Sequence, residues 1–235
     1  MSTSYFILSK RRNIDISNND ENQIIVIEPR NVNLLPRVHL DYHINHGLFE
    51  NHLIEWCKQF CSKDKNIIDI GAHAGTYTTS LALYSKNVYA FEPQKMTFYA
   101  LCGGVALSGH SNVTCIQKGL GSSTQVGEQP LKIVSNDGGG SSLHAKTGIL
   151  SEEIIEIQTL DSYNLSDVGF IKMDVEENEL YVLEGGKETI KRCNYPKILF
   201  ESNKDNPTLF DYLRNEFNYT INNINGYNNM YLATR

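Results

Sequence analysis

Apolar positions along this chain change rhythm several times, and each change marks an element. Between Leu48 and Phe60 the residues Leu48, Phe49, Leu53, Ile54, Trp56, Cys57 and Phe60 recur at helical spacing, with Glu50, Asn51, Glu55 and Lys58 between them, which predicts a helix. Asn66 to Gly71 then forms a short apolar run, Thr76 to Tyr84 a helical pattern, Asn87 to Phe91 a second run and Lys95 to Leu107 a second helix. Further strands are expected at Asn112 to Lys118, Val168 to Asp174 and Pro196 to Glu201, and further helices at Glu179 to Arg192 and Leu209 to Phe217. Strands that alternate with helices in this way assemble parallel βαβ units. The tail adds Tyr219 to Asn223 and Asn229 to Ala233 around the turn Asn225-Gly226, an antiparallel hairpin. The expected class is α/β with a mostly parallel sheet.

Two segments stand outside that rhythm. The first 47 residues carry the β-rich runs Tyr5 to Ser9 and Ile24 to Glu28, separated by a polar stretch, Asn13 to Asn22, that reads as a loop; residues 1–47 are expected to form an N-terminal β cap on a main domain at 48–235. Gly121 to Asp161 is too long for one crossover helix. It holds the runs Pro130 to Val134 and Ile154 to Gln158 beside Gly138-Gly139-Gly140-Ser141-Ser142, which predicts an inserted β element with a flexible loop.

Composition narrows the function. The chain has 235 residues, 40% of them hydrophobic, enough to bury a sizeable core. Its net charge of -6 offers no global positive field to gather a phosphate backbone, so a nucleic-acid partner is not expected. No apolar run approaches the roughly 20 residues that span a bilayer. The apolar stretch Tyr5 to Leu8 precedes the cluster Lys10-Arg11-Arg12, the reverse of a secretory signal, so the expected location is the cytoplasm. Five cysteines, an odd number, read as reduced thiols, and Cys57 and Cys61 as small hydrophobes rather than a metal pair. No metal site is expected.

Three strand ends carry the candidate chemistry. In Ile67-Ile68-Asp69-Ile70-Gly71-Ala72-His73-Ala74-Gly75-Thr76 a strand ends in an acid and a small-residue turn leads into a helix, so that a ligand can approach backbone amides. A pyrophosphate dinucleotide site wants GxGxxG, and His73 occupies its second glycine position. The DxGxxxG spacing matches instead the loop around the amino-acid end of S-adenosylmethionine, where Asp69 is placed to help hold the ammonium group directly or through water. In Tyr89-Ala90-Phe91-Glu92-Pro93, Glu92 follows Gly71 by 21 residues, close to the roughly 20-residue offset at which such folds put an acid on ribose hydroxyls. Pro93 fixes the turn that follows. In Phe170-Ile171-Lys172-Met173-Asp174-Val175-Glu176, period-two alternation aims Lys172, Asp174 and Glu176 to one side, and three charges at the end of an apolar strand are costly to bury without a purpose.

The order IIDIGAHAGTYT (67–78), YAFEP (89–93), GGGSSL (138–143), IQTLDSY (157–163), IKMDVEENELYVLEGG (171–186) and ILFES (198–202) resembles the FkbM family of S-adenosylmethionine-dependent methyltransferases over roughly Leu48 to Ser202. The resemblance implies a Rossmann-like class I methyltransferase fold, with a seven-stranded sheet and a terminal hairpin. It also implies methylation of a hydroxyl oxygen, often on sugars or natural products. Matched by position, Asp69, Gly71, Ala72, His73, Gly75, Thr76, Glu92 and Pro93 would bind the cofactor, and Lys172, Asp174 and Glu176 would line the methyl-transfer centre. The chain departs from the family pattern twice: His73 stands where Asn is common, and Glu177 where the usual sequence continues with glycine.

A weak hydroxyl nucleophile gains from a positioned base, for which Asp174 or Glu176 are the candidates, with Lys172 steadying the developing alkoxide. Glu201 and His144 are further candidates to reach the cleft, Asp137 to Ser142 is a candidate lid, and Asp161 reads as a local cap. Tyr42, Tyr77, Tyr99 and Trp56 are candidates to stack on a sugar ring. Three rival readings remain at this stage: an RNA ribose 2'-O-methyltransferase, a Mg²⁺-assisted variant using Asp174 and Glu201, and a catalytically silent cofactor-binding homologue. The expected partner is a small-molecule or glycan hydroxyl acceptor, with no membrane.

Overall fold

The apolar run at 66–70 becomes the central strand of the molecule. The computed structural model describes residues 5–9, 14–19, 22–27, 31–202, 206–227 and 229–235; the basic cluster Lys10-Arg11-Arg12, Asn13 and Glu28 lie outside them. In chain order the N-terminal part gives β1 (Tyr5–Ser9), β2 (Ile14–Asn19), β3 (Asn22–Ile27), β4 (Val32–Pro36), α1 (Leu40–His46) and α2 (Asn51–Cys57). Then come β5 (Asn66–Ile70), α3 (Thr76–Ala82), β6 (Val88–Phe91), α4 (Lys95–Ser108), β7 (Val113–Ile116), β8 (Gly119–Leu120), β9 (Gly127–Ile133) and β10 (Ser151–Gln158). The chain ends with β11 (Val168–Met173), α5 (Glu179–Gly185), α6 (Lys187–Arg192), β12 (Lys197–Glu201), α7 (Pro207–Phe217), β13 (Thr220–Asn223) and β14 (Met230–Thr234).

The main sheet has seven strands in the order β13-β14-β12-β11-β5-β6-β7. Strands β12, β11, β5, β6 and β7 run parallel, while β14 is antiparallel to both β12 and β13. Every residue of β5 is buried, which is why its sequence is a continuous run rather than an alternation. From β5 the chain winds outward through β6 to β7 and then returns to β11 on the other side. The switch point of this doubly wound sheet therefore lies between β5 and β11, where such folds open a ligand crevice at the carboxyl ends of the strands. The two strands are in register, with Asp69 opposite Lys172 and Ile70 opposite Met173. No helix among the described residues is long and apolar enough to cross a membrane.

Several expectations change. Ile14 to Asn19 is not loop but a strand paired with β3. The inserted element gains β8, in the sheet order β8-β10-β9, with Pro130 on an edge strand where no ladder donor is lost. The helix expected over 179–192 is two helices, because Gly185 passes so close to the loop after β8 that a Cβ there would lie 2.0 Å from the Gly121 carbonyl oxygen. The helix expected from Leu48 starts at Asn51, since Glu50 is left-handed at φ +53. Strand β4 and helix α1 were not anticipated. Strand β4 pairs with β1 and lies against α4: the Val32 amide donates to Ser108 Oγ (2.8 Å), and a Cβ on Gly103 would meet Leu34 Cδ1 at 2.4 Å. Helix α4 carries glycines where it must admit this strand.

Candidate active site

A cavity of about 320 Å³ opens at the switch point. Its walls include Gly71, Ala72, His73 and Thr76 from the loop after β5, Glu92 and Pro93 after β6, and Lys172, Asp174 and Glu176 around the end of β11. Asp69 and Gly75 lie beneath this surface: Asp69 is 1% exposed and Gly75 is buried. Nine of the eleven residues expected from sequence to serve the site thus face one cavity, and two support it from behind.

The reasons for the small residues differ from those read in the sequence. Gly71 is left-handed at φ +71, and a Cβ there would lie 1.8 Å from the Asp174 carbonyl oxygen. The glycine is needed so that the exits of β5 and β11 can touch. Gly75, at φ +87, leaves room for Leu101 of α4, whose Cδ1 would lie 2.6 Å from a Cβ. The Gly71 and Ala72 amides both donate to the Phe91 carbonyl (3.0 and 2.9 Å), and the Gly75 amide to Ala72 (2.8 Å). These donors are spent on the end of β6 and on the loop itself.

Glu92 follows β6 directly, and its carboxyl group is held by the protein. It accepts from the His73 amide (2.8 Å), the Gln94 amide (2.9 Å) and Thr97 Oγ1 (3.0 Å). Burial raises its pKa, against the opposing pull of His73 and these donors. Phe91, Pro93, Leu120, Ile155 and Ile157 give the adjoining wall an apolar surface.

The opposite end is electrostatically crowded. Lys172 is 5% exposed, donates to the Gly71 carbonyl at 2.8 Å, and lies 3.7 Å from both Asp69 Oδ1 and Asp174 Oδ2. Burial alone would lower its pKa, yet Asp174 and Asp69 outweigh this and raise it, so the ammonium stays charged. Asp69 Oδ2 accepts from Thr78 Oγ1 (2.6 Å), whereas Oδ1 is buried without a hydrogen bond and depends on Lys172. Strand β11 ends at Met173, so the alternation invoked for Glu176 stops short of it. Glu176 and Glu177 instead turn through left-handed backbone at φ +51 and +76, and Glu176 still reaches the cavity. Asp174, Glu176 and Glu201 each offer an oxygen within 4.8 Å of the others. Three acids at that spacing share protons or hold a cation. Burial and then Asp174 raise the pKa of Glu176, and the same causes in the same order push Glu201 up to about 8. Glu201 also accepts from Asn229.

The two departures from the family pattern, His73 (φ +50) and Glu177 (φ +76), both fall on left-handed backbone, where Asn and Gly are the least strained residues. Strain held at such positions is concentrated around functional sites. The glycine-rich segment folds over the cavity. His73 Nε2 lies 2.8 Å from the Asp137 carbonyl, His39 pairs with the Asp137 carboxylate, and Ser142 Oγ donates to the Glu176 carbonyl at 2.6 Å. His144 does not reach the cavity; it bonds Asn178 (2.9 Å) and stacks on Tyr181. Asp161 caps α6 through the amides of Glu188 and Thr189. Sequence reading placed Phe49 and Glu50 inside a helix, but both line the cavity. The left-handed turn that sends Glu50 there leaves no mark in the apolar spacing.

The residues present fit S-adenosylmethionine. An apolar slot beside a carboxylate suits a nucleoside, and the acid-rich end suits an ammonium group. The family model described as Methyltransferase FkbM domain matches residues 69–228, more than half of the chain. Among solved structures, the chain is similar to methyltransferase FkbM from Methylobacillus flagellatus KT, at 18% identity and TM-score 0.52, covering 74% of this chain and 44% of that one. It is also similar to precorrin-6y C5,15-methyltransferase from Geobacter metallireducens GS-15, at 11% identity and TM-score 0.50, covering 79% and 88%. A third is an rRNA methylase from Streptococcus thermophilus, at 14% identity and TM-score 0.48, covering 78% and 93%. At these identities the likeness concerns the fold, and the chain spans less than half the length of the Methylobacillus protein. No curated protein matches.

Proposed function

The chain belongs to the FkbM methyltransferase family, its cofactor is S-adenosylmethionine, and on that premise we propose that it is an O-methyltransferase acting on a hydroxyl of a sugar, a glycan or a related small molecule. The observation that carries this reading is the acid end of the cavity, where Asp174 and Glu176 line the wall with Lys172 as the cation of Asp174, and Glu201, outside the lining, lies within 4.8 Å of both acids. When bound, S-adenosylmethionine supplies a methyl group already activated as a sulfonium.

The protein's part is to orient and to move a proton. Glu92 is oriented by its three donors and offers its remaining acceptor capacity to ribose hydroxyls. Lys172, fixed by the Gly71 carbonyl, stands 3.7 Å from Asp174 Oδ2 as its cation. Asp174 Oδ then accepts the acceptor hydroxyl proton as the oxygen becomes nucleophilic, and the ammonium of Lys172 limits the charge that develops there. The glycine-rich segment over the cavity excludes water. The acid-rich lining disfavours a polyanionic RNA acceptor.

The test is a mass-spectrometric screen of neutral glycosides, nucleotide sugars, free glycans and capped RNA for a gain of one methylene mass, with the position assigned by fragmentation. The expected gain is on a sugar hydroxyl oxygen. Transfer confined to RNA, or to a nitrogen or carbon atom, overturns the reading.

A further inference from the structure

We propose that the acceptor is an uncharged sugar ring, stacked at the cavity mouth on Phe49 and held through its hydroxyls by Glu50. The inference deepens the O-methyltransferase reading and rests on it.

The wall that carries it lies ahead of the family match. Residues 69–228 contain the loops assigned to the cofactor and the acid end, whereas Pro36, His39, His43, Phe49 and Glu50 line the same cavity from outside that region. This wall is contributed by the chain ahead of the matched region. Phe49 is large, apolar and 40% exposed. Its ring stacks on Tyr42 at 4.1 Å and meets the edges of His39 at 5.1 Å and His43 at 4.8 Å. An aromatic block packed in this way is ordered before any ligand arrives, so binding costs little further entropy. A pyranose offers such a surface the C–H groups of one face, leaving its hydroxyls at the rim.

Glu50 supplies the acceptor for that rim. Its left-handed backbone at φ +53 is strained for a residue with a Cβ, and outliers of this kind persist where a site depends on them. Its Oε2 accepts from Tyr77 Oη at 2.7 Å, and the Tyr77 ring lies 5.3 Å from Lys172 Nζ, which ties Glu50 to the acid end. A carboxylate has about four acceptor sites, so Glu50 retains capacity for hydroxyl donors.

Charge separates an uncharged sugar from a phosphorylated one. The acids Glu50, Glu92, Asp137, Asp174 and Glu176 line the cavity against the lysines Lys118 and Lys172. Lys172 is occupied by Gly71, Asp69 and Asp174, and Lys118 pairs with Glu156. A sugar phosphate or nucleotide sugar would bring more negative charge into this field, at an electrostatic cost that an uncharged glycoside avoids.

The test is saturation-transfer NMR on the protein loaded with S-adenosylhomocysteine, using methyl α- and β-pyranosides of glucose, galactose and mannose, with glucose 1-phosphate and a short RNA as comparison probes. Binding of S-adenosylhomocysteine is followed separately by calorimetry. Transfer to at least one uncharged pyranoside is expected. It should weaken by about three- to tenfold in Phe49→Ala and in Phe49→Leu, which keeps apolar packing but loses the flat face, and comparably in Glu50→Gln. Affinity for S-adenosylhomocysteine should stay within about twofold of wild type in all three. Equal transfer in all variants, transfer only to the phosphorylated sugar or RNA, or no transfer to any pyranoside by a protein that binds S-adenosylhomocysteine overturns the assignment and leaves the methyltransferase reading standing. Failure to bind S-adenosylhomocysteine overturns both.

Discussion

The cavity has two carboxylate ends, and they differ in how their oxygens are occupied. Glu92 is met by three donors within 3.0 Å, two of them backbone amides. Asp174, Glu176 and Glu201 are met chiefly by one another, with oxygens within 4.8 Å and Lys172 3.7 Å from Asp174. The first arrangement fixes a geometry. The second leaves negative charge under-compensated, so protons enter and leave it readily. One residue type serves orientation at one end and proton traffic at the other, and the neighbours decide which.

The largest separation between the ends is expected from Asp174→Asn. The amide keeps the shape but cannot take a proton, so turnover should fall about 10²- to 10⁴-fold, while affinity for S-adenosylhomocysteine remains near wild type. Equal turnover removes Asp174 from the base role. Next is Lys172→Met, which tests what the acid end costs the fold. It would leave Asp69, 1% exposed and with Oδ1 already lacking a hydrogen bond, without its cation. Removing one partner of a buried pair costs about 3 to 5 kcal/mol; a loss below about 1 kcal/mol in urea unfolding would show that Asp69 does not depend on Lys172.

The same contrast explains what could be read from the sequence. The core strands were legible because parallel strands covered on both faces are continuous apolar runs, as in β5 and β11, and because acids at their ends interrupt those runs. The charged residues Asp69, Glu92, Lys172 and Asp174 stand out against these runs as candidates. What was hidden depends on contacts distant in sequence. Strand β4 is short, contains the buried Asn33, and is held by Ser108 and by the glycines of α4. The break between α5 and α6 follows from Gly121 passing Gly185. Phe49 and Glu50 fit a helical period, and a single left-handed residue does not disturb apolar spacing. Gly71 is legible as a turn glycine, but the close approach of the Asp174 carbonyl that forbids a Cβ there is not.

At the fixed end, Glu92→Ala should weaken S-adenosylhomocysteine binding by about tenfold or more in calorimetry, the worth of one or two hydrogen bonds to a charged group. Unchanged affinity would refute the ribose assignment.

Glu201 governs how stability changes with pH. A carboxyl of ordinary pKa near 4.3 is pushed up to about 8 here by burial and by Asp174. Between those values the folded protein keeps a proton that the unfolded chain releases, so raising the pH favours unfolding throughout that window, and the effect levels off above about pH 8. Burial lifts Glu179 to about 7, and it adds a parallel decline over the lower part of the window. Glu201→Gln removes only the first contribution. The variant should match wild type near pH 4 and become progressively more stable relative to it toward about pH 8, with a shallower slope that Glu179 keeps from becoming flat. Thermal unfolding in a buffer series across that range reads the difference directly. Superimposable slopes would mean that Glu201 is already ionised, and that the acid end is neutralised by something other than shared protons.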